Sequence, residues 1–411
     1  MYDVTSSYYE GHSCVLACWG HNRDGKEGTL CIVYGVMTDR EGRPVGVEVY
    51  PGNTGDPTTV GDQVEKLRGR FGLERVVLVG DRGMLTQARI DDLRAYPQLG
   101  WISALRNASI RQLVAKGELQ LSLFDRQDLA EITSEDFPGE RLVVCFNPLL
   151  AEERHRKRQE LLAATEKDLA KVARAVAQRR GKPLSKDEIG LRVGKVIDRF
   201  KMAKHFALSI EEGKLAWRRE EESIAGEQAL DGIYVIRTSE PAERLSAEDA
   251  VRGYKGLSQV ERAFRTLKGL ELMVRPIRHW TEDHVRAHIF LCLLAYYVEW
   301  HLRKALASLL FDDEELDEAR TRRDPVKPAR PSASAQRKKQ TLETAGGLPV
   351  HSFRTLLAEL GTRCRNTCRM KSALADGRPD PTSPTFDCLT EPTTLQARAL
   401  ELVKLLPVSG N

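Results

Sequence analysis

Over the first hundred residues apolar runs and turn-forming residues alternate on a strand rhythm. "YDVTSSYYE" is rich in Tyr, Val and Thr, and "TLCIVYGVMTDREGRPVGVEVYPGN" reads as two strands joined by a turn at Asp39 to Pro44. "ERVVLVGDRGM" is a continuous apolar run ended by Gly80. Between them, "DPTTVGDQVEKLRGRFG" has helix-start chemistry at Asp56 and Pro57 and apolar spacing at Val60, Val64 and Leu67. "QARIDDLRAYPQLGWISALR" then predicts a helix and a fifth strand. The order β-β-β-α-β-α-β describes a hairpin meander followed by crossovers, an α/β pattern with a mixed five-stranded sheet and flanking helices. The second and third strands extend such a sheet on one side, so the fourth is expected beside the first.

From about 110 to 245 the grain changes to a largely helical insertion. "LAEERHRKRQELLAATEKDLAKVARAVAQRRG" is charged and helical, Gly181-Lys182-Pro183 breaks it, and "DGIYVIRTS" reads as a strand. After the insertion, "SAEDAVRGYKGLSQVERAFRTLKG" starts a helix with Glu248 and Asp249 in its first turn, and "TEDHVRAHIFLCLLAYYVEWHLRKAL" is a second, more apolar helix. Its apolar run "HIFLCLLAYYV" falls well short of the ~20 residues a membrane helix needs, which predicts a buried helix rather than a span. The segmentation is thus 1–109 and 246–312 for a split core, 110–245 for the insertion, a Pro-, Ser- and Arg-rich flexible linker over 313–347, and a tail over 348–411.

Charge sharpens this picture locally. The chain of 411 residues carries 63 Lys+Arg against 59 Asp+Glu, too balanced to name a partner. Residues 151 to 205, however, hold sixteen Lys or Arg against eight Asp or Glu, an electrostatic footprint suited to a polyanion or, equally, a solvated helical face. The eight cysteines are scattered, and the C-x3-C pairs Cys14/Cys18 and Cys364/Cys368 lack a nearby His to complete a zinc site; they read as reduced thiols of a cytoplasmic protein. His284 and His288 share the i, i+4 spacing of zinc helices, but no third ligand is evident, and helix packing or a polar role beside the substrate fits them better.

Three acids stand at positions that the fold pattern singles out: Asp3 in the first strand, Asp81 at the end of the fourth, and Glu261 on the helix that follows the insertion. Gathered together, such carboxylates repel by roughly 4 kcal/mol for a pair at about 4 Å and an effective dielectric near 20, so they need a cation. Oxygen-only ligands suit Mg²⁺ or Mn²⁺, and two such ions activate one oxygen of a phosphodiester and stabilise the other. On the helix, Tyr254, Leu257, Glu261, Arg265 and Lys268 fall at steps of three and four, beside an apolar stripe of Val260, Phe264 and Leu267. A metal-binding Glu261 flanked by phosphate-binding cations and an ordinary Glu261/Arg265 helix pair both give this spacing.

At these residues the sequence resembles the DDE transposases of bacterial insertion sequences, in the branch with an RNase H-like catalytic domain and a Tyr-x2-Arg-x3-Glu-x6-Lys signature. "YKGLSQVERAFRTLK" supplies Tyr254, Glu261 and Lys268 at that spacing, with Leu257 in place of the Arg. "YDVTSSYYEG", "VLVGDRGM" and "RPIRHWTEDHVRAHIFLCLLAYYVEWHL" extend the resemblance over nearly all of residues 1 to about 306. It implies that Asp3, Asp81 and Glu261 hold two Mg²⁺ ions, with Mn²⁺ as a substitute. It implies too that Tyr254 and Lys268 contact DNA backbone, with Arg252, Arg262 or Arg265 standing in for the missing Arg. The implied reaction is hydrolysis at the element ends and attack of the freed 3′-hydroxyls on target DNA, by a homodimer on double-stranded DNA in the nucleoid. In relatives the insertion often supplies an aromatic that stacks on a flipped base, which makes Trp217 a candidate, although packing is its commoner role.

The resemblance also implies a DNA-binding region ahead of the first acid, whereas only two residues precede Asp3 here. Two further readings therefore stand beside the transposase: an RNase H-like nuclease without transposition, and a non-catalytic DNA-binding remnant.

Overall fold

The computed structural model describes the chain except residues 97, 126, 328, 371–380 and 406–411. In chain order its elements begin with β1 (Tyr2–Tyr8), β2 (Cys31–Thr38), β3 (Pro44–Pro51), α1 (Val60–Glu65), β4 (Val76–Val79), α2 (Gln87–Arg94), β5 (Leu99–Ala104) and α3 (Asn107–Ala115). The middle holds β6 (Leu129–Ile132), β7 (Arg141–Phe146), α4 (Pro148–Ala177), α5 (Lys186–Phe200), β8 (Phe206–Glu211), β9 (Lys214–Arg219), α6 (Glu221–Gln228) and β10 (Ile233–Thr238). Then come α7 (Ala247–Lys255), α8 (Leu257–Leu267), α9 (Glu282–Leu306), α10 (Leu316–Arg322), α11 (Ala333–Thr341), α12 (Phe353–Leu360), β11 (Arg365–Arg369), β12 (Thr385–Leu389) and α13 (Thr394–Lys404).

The class is α/β, and the predicted strand and helix series of the first hundred residues is present in order. The strand neighbours differ from the expectation. The strands β1-β2-β3 form an antiparallel sheet of their own, and the five-stranded sheet runs β4-β5-β10-β7-β6. Strand β4 is therefore not laddered to β1; β10, arriving from the far end of the insertion, takes the edge of β5 in the register Ile236 to Ala104.

Two compact units result, with the boundary inside β5. The first comprises Met1–Leu99, Lys255–Pro325 and the chain from Ala329 onward. Its core lies between one face of β2 (Ile32, Tyr34, Val36) and the apolar stripes of α8 and α9, among them Val260, Phe264, Leu267, Val285 and Ile289. The stripe read from the sequence is thus the buried one, joined by Leu257 and Ala263. A second cluster ties Leu306, Leu309 and Leu310 to α12 and α13. The stretch over 313–347 that reads as a flexible linker carries α10 and α11, and Lys338 within it is buried against the Ala307 and Asp312 carbonyls and Glu314. Such a buried ammonium is stable only when its donors are satisfied, a pairing that composition does not display.

The second unit, built mainly of Gly100–Tyr254, contains β6, β7, β8 and β9 in addition to the strand read at β10. Its long helix α4 starts at an Asn147 cap with Pro148 in its first turn, and α5 starts at a Ser185/Glu188 capping box after the predicted breaker. Two buried ion pairs, Arg158 with Asp231 and Arg237 with Glu140, lie in this unit. Trp217 is half-buried and packs against the cluster formed by α4, α5, β8 and α6. Among the described residues no helix is long and apolar enough to cross a membrane.

Candidate active site

Asp3 sits on β1 opposite Val36 of β2. Directly opposed residues of an antiparallel pair share a face, so Asp3 lies on the side of the sheet where Val36 and Tyr34 meet α8. Its Oδ1 accepts a hydrogen bond from the Val4 N–H at 2.7 Å. Burial pushes its carboxyl up to about 7; the nearby charges of Asp81 and Asp56 push the same way, against the Val4 N–H and Arg23, which favour the ionised form. Asp81 follows β4 and is exposed, its Oδ1 accepting from the Gly83 and Met84 N–H groups at 3.0 and 2.7 Å. That fixes the turn after the strand and holds the carboxylate in place. The two aspartates thus sense each other without sharing a ladder.

Glu261 is exposed on α8, the helix whose Val260, Ala263, Phe264 and Leu267 anchor it to the sheet. Among the described residues no three acid, His or Cys side chains stand close enough together to hold a metal ion. The side chains as placed therefore bring Asp3 and Asp81 into electrostatic contact and leave Glu261 outside that pair.

The basic candidates divide. Arg262 and Arg265 are exposed on α8. Lys268, at the C-terminal end of that helix, is only 11% exposed, and its ammonium donates to the Ser6 carbonyl at 2.6 Å and to Asp24 at 2.8 Å. Burial holds its pKa below the usual lysine value, partly offset by Asp24. Asp24 in turn accepts from Arg275 and from the Tyr8 N–H, so one buried carboxylate ties α8 to β1. Tyr254 lies on α7, one residue before its end, in the second unit, and Gly256, itself with right-handed helical backbone angles, stands between α7 and α8. Leu257, at the departed signature position, is buried, and Arg252 pairs with Asp249 at 2.8 Å.

Sequence reasoning missed Arg23, Asp24 and Asp56. Asp56 is engaged by Arg23, which neutralises the acid nearest in kind to the candidate pair. Asp24 lies in "NRDGKEG", a stretch that reads as a turn, and only the fold reveals it as the partner of Lys268. His279 was missed as well: its ring lies 4.9 Å from that of His288 and 6.2 Å from that of His284, and burial with these two neighbours lowers its pKa. His288 Nε2 contacts the Val274 carbonyl at 3.1 Å, a packing role.

A protein-family comparison gives the decisive match, to the transposase DDE domain, over residues 12–298. The chain belongs to the transposase DDE-domain family. The matched span takes in Asp81, Glu261 and Lys268 and begins after Asp3, so the case for the first acid rests on its own surroundings. Comparison with curated proteins returned no match. In this transposase the apolar stripe of α8 packs that helix on the Asp3 face of the sheet.

Proposed function

We propose that this transposase cleaves DNA at the ends of an insertion sequence with Mg²⁺ or Mn²⁺ and joins the freed 3′-hydroxyls to target DNA, Asp3, Asp81 and Glu261 being the acids that hold two ions. The observation that carries the reading is Asp3, a strand carboxylate deprived of water beside a second carboxylate, in a chain of this family. Burial first, and the charges of Asp81 and Asp56 after it, raise its proton affinity, and an oxygen-only donor set suits a hard divalent cation. Bound there, the metal would supply a Lewis acid for the phosphoryl oxygens and a water or hydroxyl more readily deprotonated than in bulk.

The protein's own contributions follow from placement. Asp3 would hold the ion through its carboxylate, which the Val4 N–H orients. Asp81 is held by its own turn. Glu261, exposed on α8, would be the third acid of the set. Arg262, Arg265 and Tyr254 meet the DNA backbone, whereas Lys268 acts from behind, bracing β1 to the end of α8 through Ser6 and Asp24. Paired ends require two active sites, so the working form is a homodimer on double-stranded DNA, in the bacterial cytoplasm. The division 1–109 plus 246–312 for the catalytic core, with 110–245 inserted, remains part of this proposal.

One observation favours a second reading, DNA binding without turnover: Glu261 is not grouped with Asp3 and Asp81. Incubating the purified chain with a supercoiled plasmid carrying the DNA that flanks its gene decides between them. The transposase reading expects Mg²⁺- or Mn²⁺-dependent breaks with 3′-hydroxyl ends, abolished in Asp81→Asn and Glu261→Gln. Salt-sensitive DNA retention with no breaks under either metal would establish the second reading.

A further inference from the structure

The second unit holds a polar relay that the metal chemistry does not use. His205, the residue before β8, has a fully buried ring whose two nitrogens both meet α6. Its Nε2 stands 2.6 Å from Glu227 Oε2, and its Nδ1 stands 3.1 Å from the Ser223 hydroxyl. Ser223 and Glu227 are four residues apart on α6, so one helix face presents both to the ring. An ionised carboxylate only accepts, which places the ring proton on Nε2 and leaves Nδ1 to accept from the Ser223 O–H. Burial by itself would raise the Glu227 carboxyl, but the hydrogen bonds from Lys204 and His205 outweigh it and hold the group below its ordinary value. Ile224 anchors α6 in the apolar cluster it shares with α4 and α5, and the Glu220 N–H donates to the His205 carbonyl at 3.0 Å. Ring and helix are thereby fixed to each other.

The serine also faces open space. A cavity of about 430 Å³ lies between α3 and α6, lined by Ser223, His205 and Glu227 together with the apolar Val114 and Leu230. That volume is within the range of small-molecule pockets. Arg111 and Lys204 line it too and stay about half exposed, at 51% and 49%. Ser223 lies in the first turn of α6, which has no side-chain cap, and the N–H groups of such a turn are donors for a developing oxyanion. We propose that Ser223, His205 and Glu227 are the nucleophile, base and orienting acid of a second active site, one that hydrolyses short-chain carboxylic esters. Ser223 Oγ attacks the ester carbonyl carbon as its proton passes to His205 Nδ1, and Glu227 stabilises the imidazolium. The tetrahedral adduct expels the alcohol, which takes that proton, and leaves an acyl-serine. Water, deprotonated in turn by His205, cleaves the acyl-serine to the free acid and restores the serine. The sum is ester plus water to acid plus alcohol, with neither DNA nor a divalent cation taking part. Val114 and Leu230 give the acyl chain an apolar wall.

Incubating the full chain, free of DNA and divalent metal, with an alkyl fluorophosphonate and mapping the adduct by mass spectrometry tests it. The probe traps a nucleophilic serine, an O–P bond forming as the P–F bond breaks and fluoride leaves. Labelling is expected at Ser223 and should slow at least about 100-fold in His205→Gln. Glu227→Gln should slow it at least about tenfold, because an amide N–H lets the imidazole take the wrong tautomer. With p-nitrophenyl acetate the wild type should release a burst of p-nitrophenolate equal to the chain concentration. Ser223→Ala should abolish the burst, and Ser223→Cys, a nucleophile of similar size, should retain it. Circular dichroism melts of the same samples separate lost chemistry from lost folding, and wild-type labelling decides by itself if a variant fails to fold. An unlabelled Ser223 in the folded wild type, Ser223 labelling at the wild-type rate in His205→Gln, or a burst that survives in Ser223→Ala would each overturn the assignment.

Discussion

The Asp3→Asn variant makes the electrostatics of the site measurable without substrate. An acid whose folded pKa is raised binds more protons folded than unfolded, so its ionisation destabilises the native state as pH rises between the two values. For Asp3 the window runs from the ordinary 3.8 to about 7. At about 1.4 kcal/mol per pH unit, that shift amounts to about 4 kcal/mol of penalty fully present above pH 7 and absent below pH 4. Asparagine is isosteric, keeps the acceptor for the Val4 N–H and cannot ionise. Urea denaturation of both proteins without metal, from pH 4 to pH 8, should therefore show equal stability near pH 4 and the variant ahead by a few kcal/mol at pH 7.5. Taking the difference between the two removes the opposing contribution of the Met1 ammonium. Burial lowers that group to about 6, which costs stability below pH 6 and is relieved as pH rises towards 8. A pH-independent difference, or a variant less stable at pH 7.5, would refute the view that Asp3 is a carboxylate short of counter-charge.

Other perturbations have defined outcomes. Lys268→Met should cost about 2–3 kcal/mol in urea denaturation, because it strips the Ser6 carbonyl and one side of Asp24 of a buried partner while Arg275 remains; a neutral result would remove the bracing role. Arg158→Leu should cost about 3–5 kcal/mol by stranding buried Asp231, and Arg158→Leu with Asp231→Asn should recover much of it, a non-additivity visible in a double-mutant cycle. Gly35→Ala should destabilise by about 2–3 kcal/mol, since a Cβ there would stand 2.2 Å from the Tyr2 hydroxyl across the β1–β2 pair; an unshifted thermal melt would contradict the packing.

Local patterns carried much of this protein. Apolar and β-branched runs punctuated by turn residues gave β1 to β5 in order, and the 3.6 period gave the buried stripe of α8 at Val260, Phe264 and Leu267. Strand neighbours were not legible, because they depend on β10 returning from the insertion to pair with β5, and the periodicity of either segment says nothing of that partner. The run "RLVVCF" carried a strand signal that the charged helical character of its surroundings masked, and β7 was missed with it. Around the candidate acids, the sequence did not disclose that Gly256 would stand between the helices of Tyr254 and Glu261, nor that Lys268 would be taken up by Asp24. Long-range polar pairing leaves no periodic trace, so Asp24 looked like one more turn residue.

Manganese binding by electron paramagnetic resonance, on the full chain at pH 7 without DNA, tests the central claim most directly. Asp3, buried and in the field of Asp81, should bind Mn²⁺ together with it, with release of the Asp3 proton. Asp81→Asn and Asp3→Asn should each weaken that binding at least about tenfold, or ~1.4 kcal/mol. Equal Mn²⁺ affinity in the wild type and both variants would contradict the assignment of these aspartates as the metal-holding pair.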